Sequence, residues 1–107
     1  MKNEEFYSNG MNYIKKDYPE LYKEIVSLND TVYNGKILNY RTQKLIAIAL
    51  VSAQNNDIAI KKQIKSGIEE FNMTRDEIMD VLKIVLLISG KPAFTKATSI
   101  LYSILSE

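Results

Sequence analysis

Midway along the chain, between two strongly apolar segments, lies the polar run SAQNNDIAIKK, Ser52 to Lys62. A run of this kind can be a reacting centre, a binding surface or the cap of a helix. It contains one acid, Asp57, and neither cysteine nor histidine; none of the 107 residues is either. That excludes disulfides, thiolate nucleophiles, imidazole bases and most zinc or haem sites. No metal and no cofactor is therefore expected. The remaining clusters read more simply as structure than as chemistry. Lys61, Lys62 and Lys65, followed by Glu69 and Glu70, form either an anion-binding patch or, more simply, a solvated helix face. Asp76 and Asp80 share a helix face at i, i+4 and resemble a carboxylate pair, but an acid in a first helical turn also complements the helix dipole. The seven tyrosines recur within apolar stripes, which suits core-edge or subunit-contact roles better than acid catalysis. The turn SGKP lacks the glycines and the preceding strand of a phosphate loop.

The elements that must position these residues follow from punctuation and periodicity. One domain, 1–107, is expected from the length. Hydrophobic residues make up 46% and charged residues 25% of the chain, ordinary globular values. A net charge of +1 gives no concentrated basic surface, so no nucleic acid is expected as partner. No apolar run reaches membrane-spanning length, and the opening MKNEEFYSNG lacks the apolar core of a signal peptide. The expected location is cytoplasmic, with no membrane partner.

About six helices are expected, an all-α fold. The first runs from about Glu4 to Lys16 and carries Phe6, Tyr13 and Ile14, with Asn9-Gly10 weakening its middle. Pro19 suits the first turn of the second, whose stripe is Leu21, Tyr22, Ile25, Val26, Leu28, Val32 and Tyr33. Asn34-Gly35 should end it as a left-handed stop. The third helix, Tyr40 to Ala53, has Asn39 as expected N-cap; its LIAIALVSA is apolar on nearly every side and should be buried at the centre. A short buried strand is the competing reading, which three alanines and the lead-in YRTQK disfavour. Asn56-Asp57 opens the fourth, with Ile60, Ile64, Ile68 and Phe71 at helical spacing. Thr74 and Glu77 form a capping box for the fifth, which presents Ile78, Val81, Leu82, Val85 and Ile88. Pro92 opens the last, faced by Phe94, Ala97, Ile100, Leu101, Ile104 and Leu105.

In order and spacing, PELYKEIVSLND, NGKILNYRTQKLIAIALVSA, IKSGIEEFNMTRDEIMDVL and GKPAFTKA resemble the carboxymuconolactone decarboxylase family, whose superfamily includes the alkylhydroperoxidase D-like proteins. The resemblance spans about Pro19 to Leu105. It implies an all-helical fold and a homo-oligomer, a trimer or hexamer. The redox branch of the family carries E-x11-C-x2-C-x3-H. Anchored on LIAIALVSA, that pattern falls on Lys44, Asn56, Ala59 and Gln63, so all four of its residues are replaced. A cysteine at a helix N-terminus owes its reactivity to a lowered pKa. Asn56 or Asp57 keeps the cap but not the thiol, so peroxidase chemistry does not transfer.

The decarboxylase branch does not depend on the cysteine pair. Lactone decarboxylation needs an acid or base near the departing carbon dioxide and a cation for the carboxylates. The resemblance thus implies Lys44 as that cation, with Gln63, Asn56 and Asn55 as hydrogen-bonding partners; Lys44, Asn56 and Gln63 are the catalytic candidates. The plainer alternative is a solvent-facing Lys44 in the first turn of its helix. Two functional classes follow: an enzyme or binder of a small-molecule ligand in an interhelical pocket, or a noncatalytic homo-oligomeric scaffold.

Overall fold

The computed structural model describes residues 9–107. Six α-helices and no strand occur among the described residues: α1 (Asn9–Asp17), α2 (Pro19–Val32), α3 (Tyr40–Ala53), α4 (Asp57–Phe71), α5 (Arg75–Ser89) and α6 (Lys91–Leu105). The expected beginning of the first helix, with Glu4 and Phe6, lies outside the described residues. The chain divides into two compact units, one ending at Tyr40 and the other Arg41–Glu107.

In the first unit α1 and α2 pack against each other. Pro19 stands in the first turn of α2, where its missing N–H leaves no bond unmade. The helix does not end as expected. Tyr33 is its C-cap at φ −81°, and neither Asn34 nor Gly35 has a positive φ. The Tyr33 N–H reaches Asn29 O, closing the last turn without a left-handed residue. None of the 14 residues of α2 is buried.

The second unit has a continuous core: Ile48 from α3, Ile60 and Ile64 from α4, Met73, Ile78, Leu82 and Val85 from α5 and its approach, and Ala93, Ala97 and Leu101 from α6. α6 packs against both α4 and α5, and its small Ala93 and Ala97 allow close approach. At Gly67 an added Cβ would stand 2.7 Å from Met73 Sδ and 3.4 Å from Ile48 Cδ1. A side chain at this position would therefore require Met73 to shift.

Two burial expectations are corrected. α3 is not buried all round: its inward face is Lys44, Ile48 and Ser52, while Ile46 and Leu50 are exposed. In α5, Ile78, Leu82 and Val85 point inward, but Ile88 is exposed together with Ile84 and Leu87. A helix apolar on every side carries no periodic signal to say which face its own chain covers.

Candidate functional site

The polar run between α3 and α4 is built as a turn and a cap. α3 ends at Ala53, and Asn55 adopts the left-handed region at φ 61°, its N–H bonded to Ser52 O at 3.0 Å. Asparagine tolerates this conformation better than other non-glycine residues. Asn56 is then the N-cap of α4, its Oδ1 accepting the Ala59 N–H at 3.1 Å. The Lys96 ammonium lies 2.7 Å from Asp57 Oδ1, tying the first turn of α4 to α6.

Lys44 is not the solvent-facing residue that its place near the helix start suggests; it is 6% exposed. It stands one turn before Ile48 and two before Ser52, on the face that α3 turns to the core. Its Nζ donates to Gln63 Oε1 at 2.9 Å. The structure therefore brings together two of the three candidates. Asn56 is exposed and its side-chain oxygen is committed to the cap. It shares a face of α4 with Gln63, but seven residues place it about 10 Å away along the axis.

Two features of this region were not singled out from sequence. Ser52 is fully buried and its Oγ lacks a hydrogen-bond partner. The i, i+4, i+8 relation of Lys44, Ile48 and Ser52 was the available signal, masked by the apolar residues around it. The second is the ion pair of Arg41 with Glu77, 2.6 Å apart, which joins the first turns of α3 and α5. Glu77 also accepts the Thr74 N–H, at 3.0 Å, while Thr74 Oγ1 accepts the Glu77 N–H, at 3.1 Å. The backbone N–H of Thr74 and then the Arg41 guanidinium hold the Glu77 carboxyl below its ordinary value.

Asp76 and Asp80 do not act as a pair. Asp76 bonds to Arg75 and Asp80 to Lys83, each at 3.2 Å, and both are exposed. Of the basic cluster, Lys61 is exposed, and Lys62 and Lys65 are half-buried. An open cleft is lined by Tyr22, Lys23, Val26, Ser27, Asp30, Thr31 and Asn34 of the first unit; Lys44, Asn56 and Gln63 have no part in it. Among the described residues no three His, Cys, Asp or Glu side chains gather as metal ligands, and no helix is long and apolar enough to cross a membrane.

Fold and site together define an all-helical protein with a buried lysine whose Nζ donates to a glutamine amide of the neighbouring helix. Residues 19–102 match the model of the carboxymuconolactone decarboxylase family. The chain belongs to that family. It is 56% identical over 101 residues to an uncharacterised protein of Methanocaldococcus jannaschii, covering 94% of this chain and 97% of that one. A second uncharacterised protein of the same organism is 33% identical over 94 residues, covering 88% and 87% of the two chains. The crystal structure of an apo carboxymuconolactone decarboxylase family protein from Legionella pneumophila superposes with a TM-score of 0.78. It is 22% identical, with 89% of this chain and 87% of that one covered, a likeness of fold.

Proposed function

We propose that the protein is a homo-oligomeric enzyme or binder for a small carboxylate- or lactone-type molecule, with Lys44 and Gln63 as its polar determinants. The observation that carries this reading is the Lys44–Gln63 bond, a 2.9 Å contact made by a lysine that is 6% exposed. Desolvating an ammonium is costly unless its donors are satisfied. Lysine at this position supplies a point charge with three donors, suited to a carboxylate. Gln63 orients one of those donors and offers its own amide N–H to a ligand oxygen. Asn56 acts through the fold, setting the start of the helix that carries Gln63.

Thiol peroxidase activity is not part of this reading, because the chain has no cysteine to be oxidised and reduced. The assembly proposed is a trimer or a hexamer, in the cytoplasm.

The test is a thermal-shift screen of small lactone acids and mono- and dicarboxylates, followed by calorimetric titration of any that stabilise the protein. Lys44→Met and Gln63→Leu should each weaken binding at least tenfold while leaving the helical circular dichroism intact. If no such acid binds, or if binding is indifferent to both substitutions, the reading fails.

A further inference from the structure

Asparagine is followed by glycine twice in the sequence, at Asn9-Gly10 and at Asn34-Gly35. The fold treats the pairs differently. Asn9 and Gly10 begin α1, whereas Asn34 and Gly35 follow the Tyr33 cap of α2, in the helix-free segment that leads to Tyr40. The second glycine has no conformational reason to stand there. Its φ is not positive and the left-handed stop is not made, so an alanine would fit the same φ. What sets Gly35 apart is its missing Cβ, which leaves its backbone nitrogen unshielded beside the Asn34 side-chain amide. That nitrogen and Asn34 Cγ can close a small ring once the Asn34 backbone rotates. A helix forbids the rotation, because it fixes ψ and engages each N–H in the ladder. Here the last backbone bonds of α2 come from the N–H groups of Tyr33 and Asn34, to Asn29 O at 3.0 Å and to Thr31 O at a long 3.4 Å.

We propose that Asn34 is a site of spontaneous deamidation, driven by the Gly35 backbone and completed without an enzyme. The Gly35 nitrogen gives up its proton and bonds to Asn34 Cγ. The Cγ–Nδ2 bond breaks, and the side-chain nitrogen leaves as ammonia with that proton. Water, the sole co-reactant, then opens the succinimide at either of its carbonyls and leaves an aspartate or an isoaspartate at position 34. The product places a carboxylate one residue past the C-cap of α2, at the negative end of the helix dipole and four residues after Asp30. The last turn of α2 holds no basic residue to offset it, and Lys36 lies outside the helix. The formal net charge falls from +1 to zero. Deamidation therefore ages the protein into a form whose α2 end is weakened. All the groups involved lie between Asn29 and Lys36 of the first unit, and none belongs to the Lys44–Gln63 site.

Purified full-length protein held in warm, mildly alkaline buffer should accumulate a more acidic form on isoelectric focusing. Peptide mass spectrometry should place the change at Asn34, and labelling by an isoaspartyl methyltransferase should detect the isomerised product there. Gly35→Ala should slow the conversion several-fold, with circular dichroism verifying that the variant is folded. A second comparison needs no variant. Because the native backbone leaves the pair outside any helix, the rate at Asn34 in the folded protein should stay within about threefold of the rate in the urea-unfolded chain. Conversion that maps to other asparagines and spares Asn34, an undiminished rate in folded Gly35→Ala, or a native rate lower than that margin would overturn the proposal. Asn34→Asp installs the charge without isomerising the backbone, and its thermal midpoint should lie about 1–3 degrees below that of the wild type. A midpoint that is not lowered would overturn the weakening of α2 while leaving the modification site standing.

Discussion

The resemblance to the redox pattern implies Lys44 in place of its glutamate and Gln63 in place of its histidine, an amide that exchanges no proton near neutral pH. In that register the Lys44–Gln63 hydrogen bond stands where the pattern has a proton relay. Turnover of an organic hydroperoxide with a dithiol reductant is accordingly expected to be absent, and saturable, protein-dependent consumption of peroxide in a steady-state assay would contradict this. The neighbouring cap retains geometry useful for a second test. Asn56 is the N-cap and Ala59 the third residue of α4, so Asn56→Cys with Ala59→Cys should form an intramolecular disulfide on oxidation. Recovery of two free thiols from the folded, oxidised double variant would count against the alignment of these positions. Glu77 gives a prediction in pH. Its folded pKa is depressed below 4.5, by the Thr74 N–H first and Arg41 next. Its charged form therefore adds stability that is complete above the unfolded value and is lost as pH falls through the folded one. Glu77→Gln keeps the cap bond but removes the charge, so the stability gap between wild type and variant should be constant from about pH 6 to 8 and close in acid, as followed by urea denaturation. The pairing of Lys44 with Gln63 was legible through the family pattern, since 19 residues separate them and periodicity says nothing about contacts between helices. Ser52 and the Arg41–Glu77 pair were not legible, because each depends on how helices meet.

Helix boundaries were legible wherever a side chain performs the capping. Thr74 and Glu77 satisfy each other's backbone donors at the start of α5, and Asn56 does so at the start of α4. Thr74→Ala should cost about 0.5–2 kcal/mol. Leu82→Ala should cost more, about 2–5 kcal/mol, because Leu82 is completely buried in the contiguous core. Equal denaturation midpoints for wild type and both variants would mean that α5 does not contribute to the cooperative unit. Stops were less legible than starts. The Asn34-Gly35 pair offers a left-handed stop that α2 does not use, whereas Asn72 supplies one for α4 at φ 53°. Either pair of helix-terminal carbonyls can be closed by more than one turn type, so composition alone does not choose. Gly67 shows the same limit from the other side. An alanine there gains helix propensity of about 1 kcal/mol, but Met73, itself buried, must yield to a Cβ 2.7 Å away. Overpacking of this kind costs about 1–3 kcal/mol, so Gly67→Ala should be destabilising on balance, and a raised thermal midpoint would show that Met73 relaxes freely.

For the whole molecule, the informative quantity is what the chain leaves uncovered. In the second unit Ile84, Leu87 and Ile88 stand 63%, 81% and 76% exposed along one side of α5, opposite the side that carries Ile78, Leu82 and Val85 into the core. Such a cluster of three large aliphatic side chains at i, i+3, i+4 is unlike the scattered apolar residues of ordinary surfaces. The net charge of +1 opposes association only weakly. If this face is covered by further copies, folding is linked to assembly, and mass action must appear in the stability. The thermal midpoint should then rise with protein concentration between about 1 and 100 µM, by several degrees for a small chain whose assembly is worth a few kcal/mol. Leu87→Glu should flatten that dependence and lower the midpoint at high concentration, although the substituted side chain has no contact in the core to lose. A midpoint independent of concentration in scanning calorimetry, with two-state unfolding of a 12.3 kDa species, would show that the chain is stable with this face in water and would remove the reason for expecting any homo-oligomer.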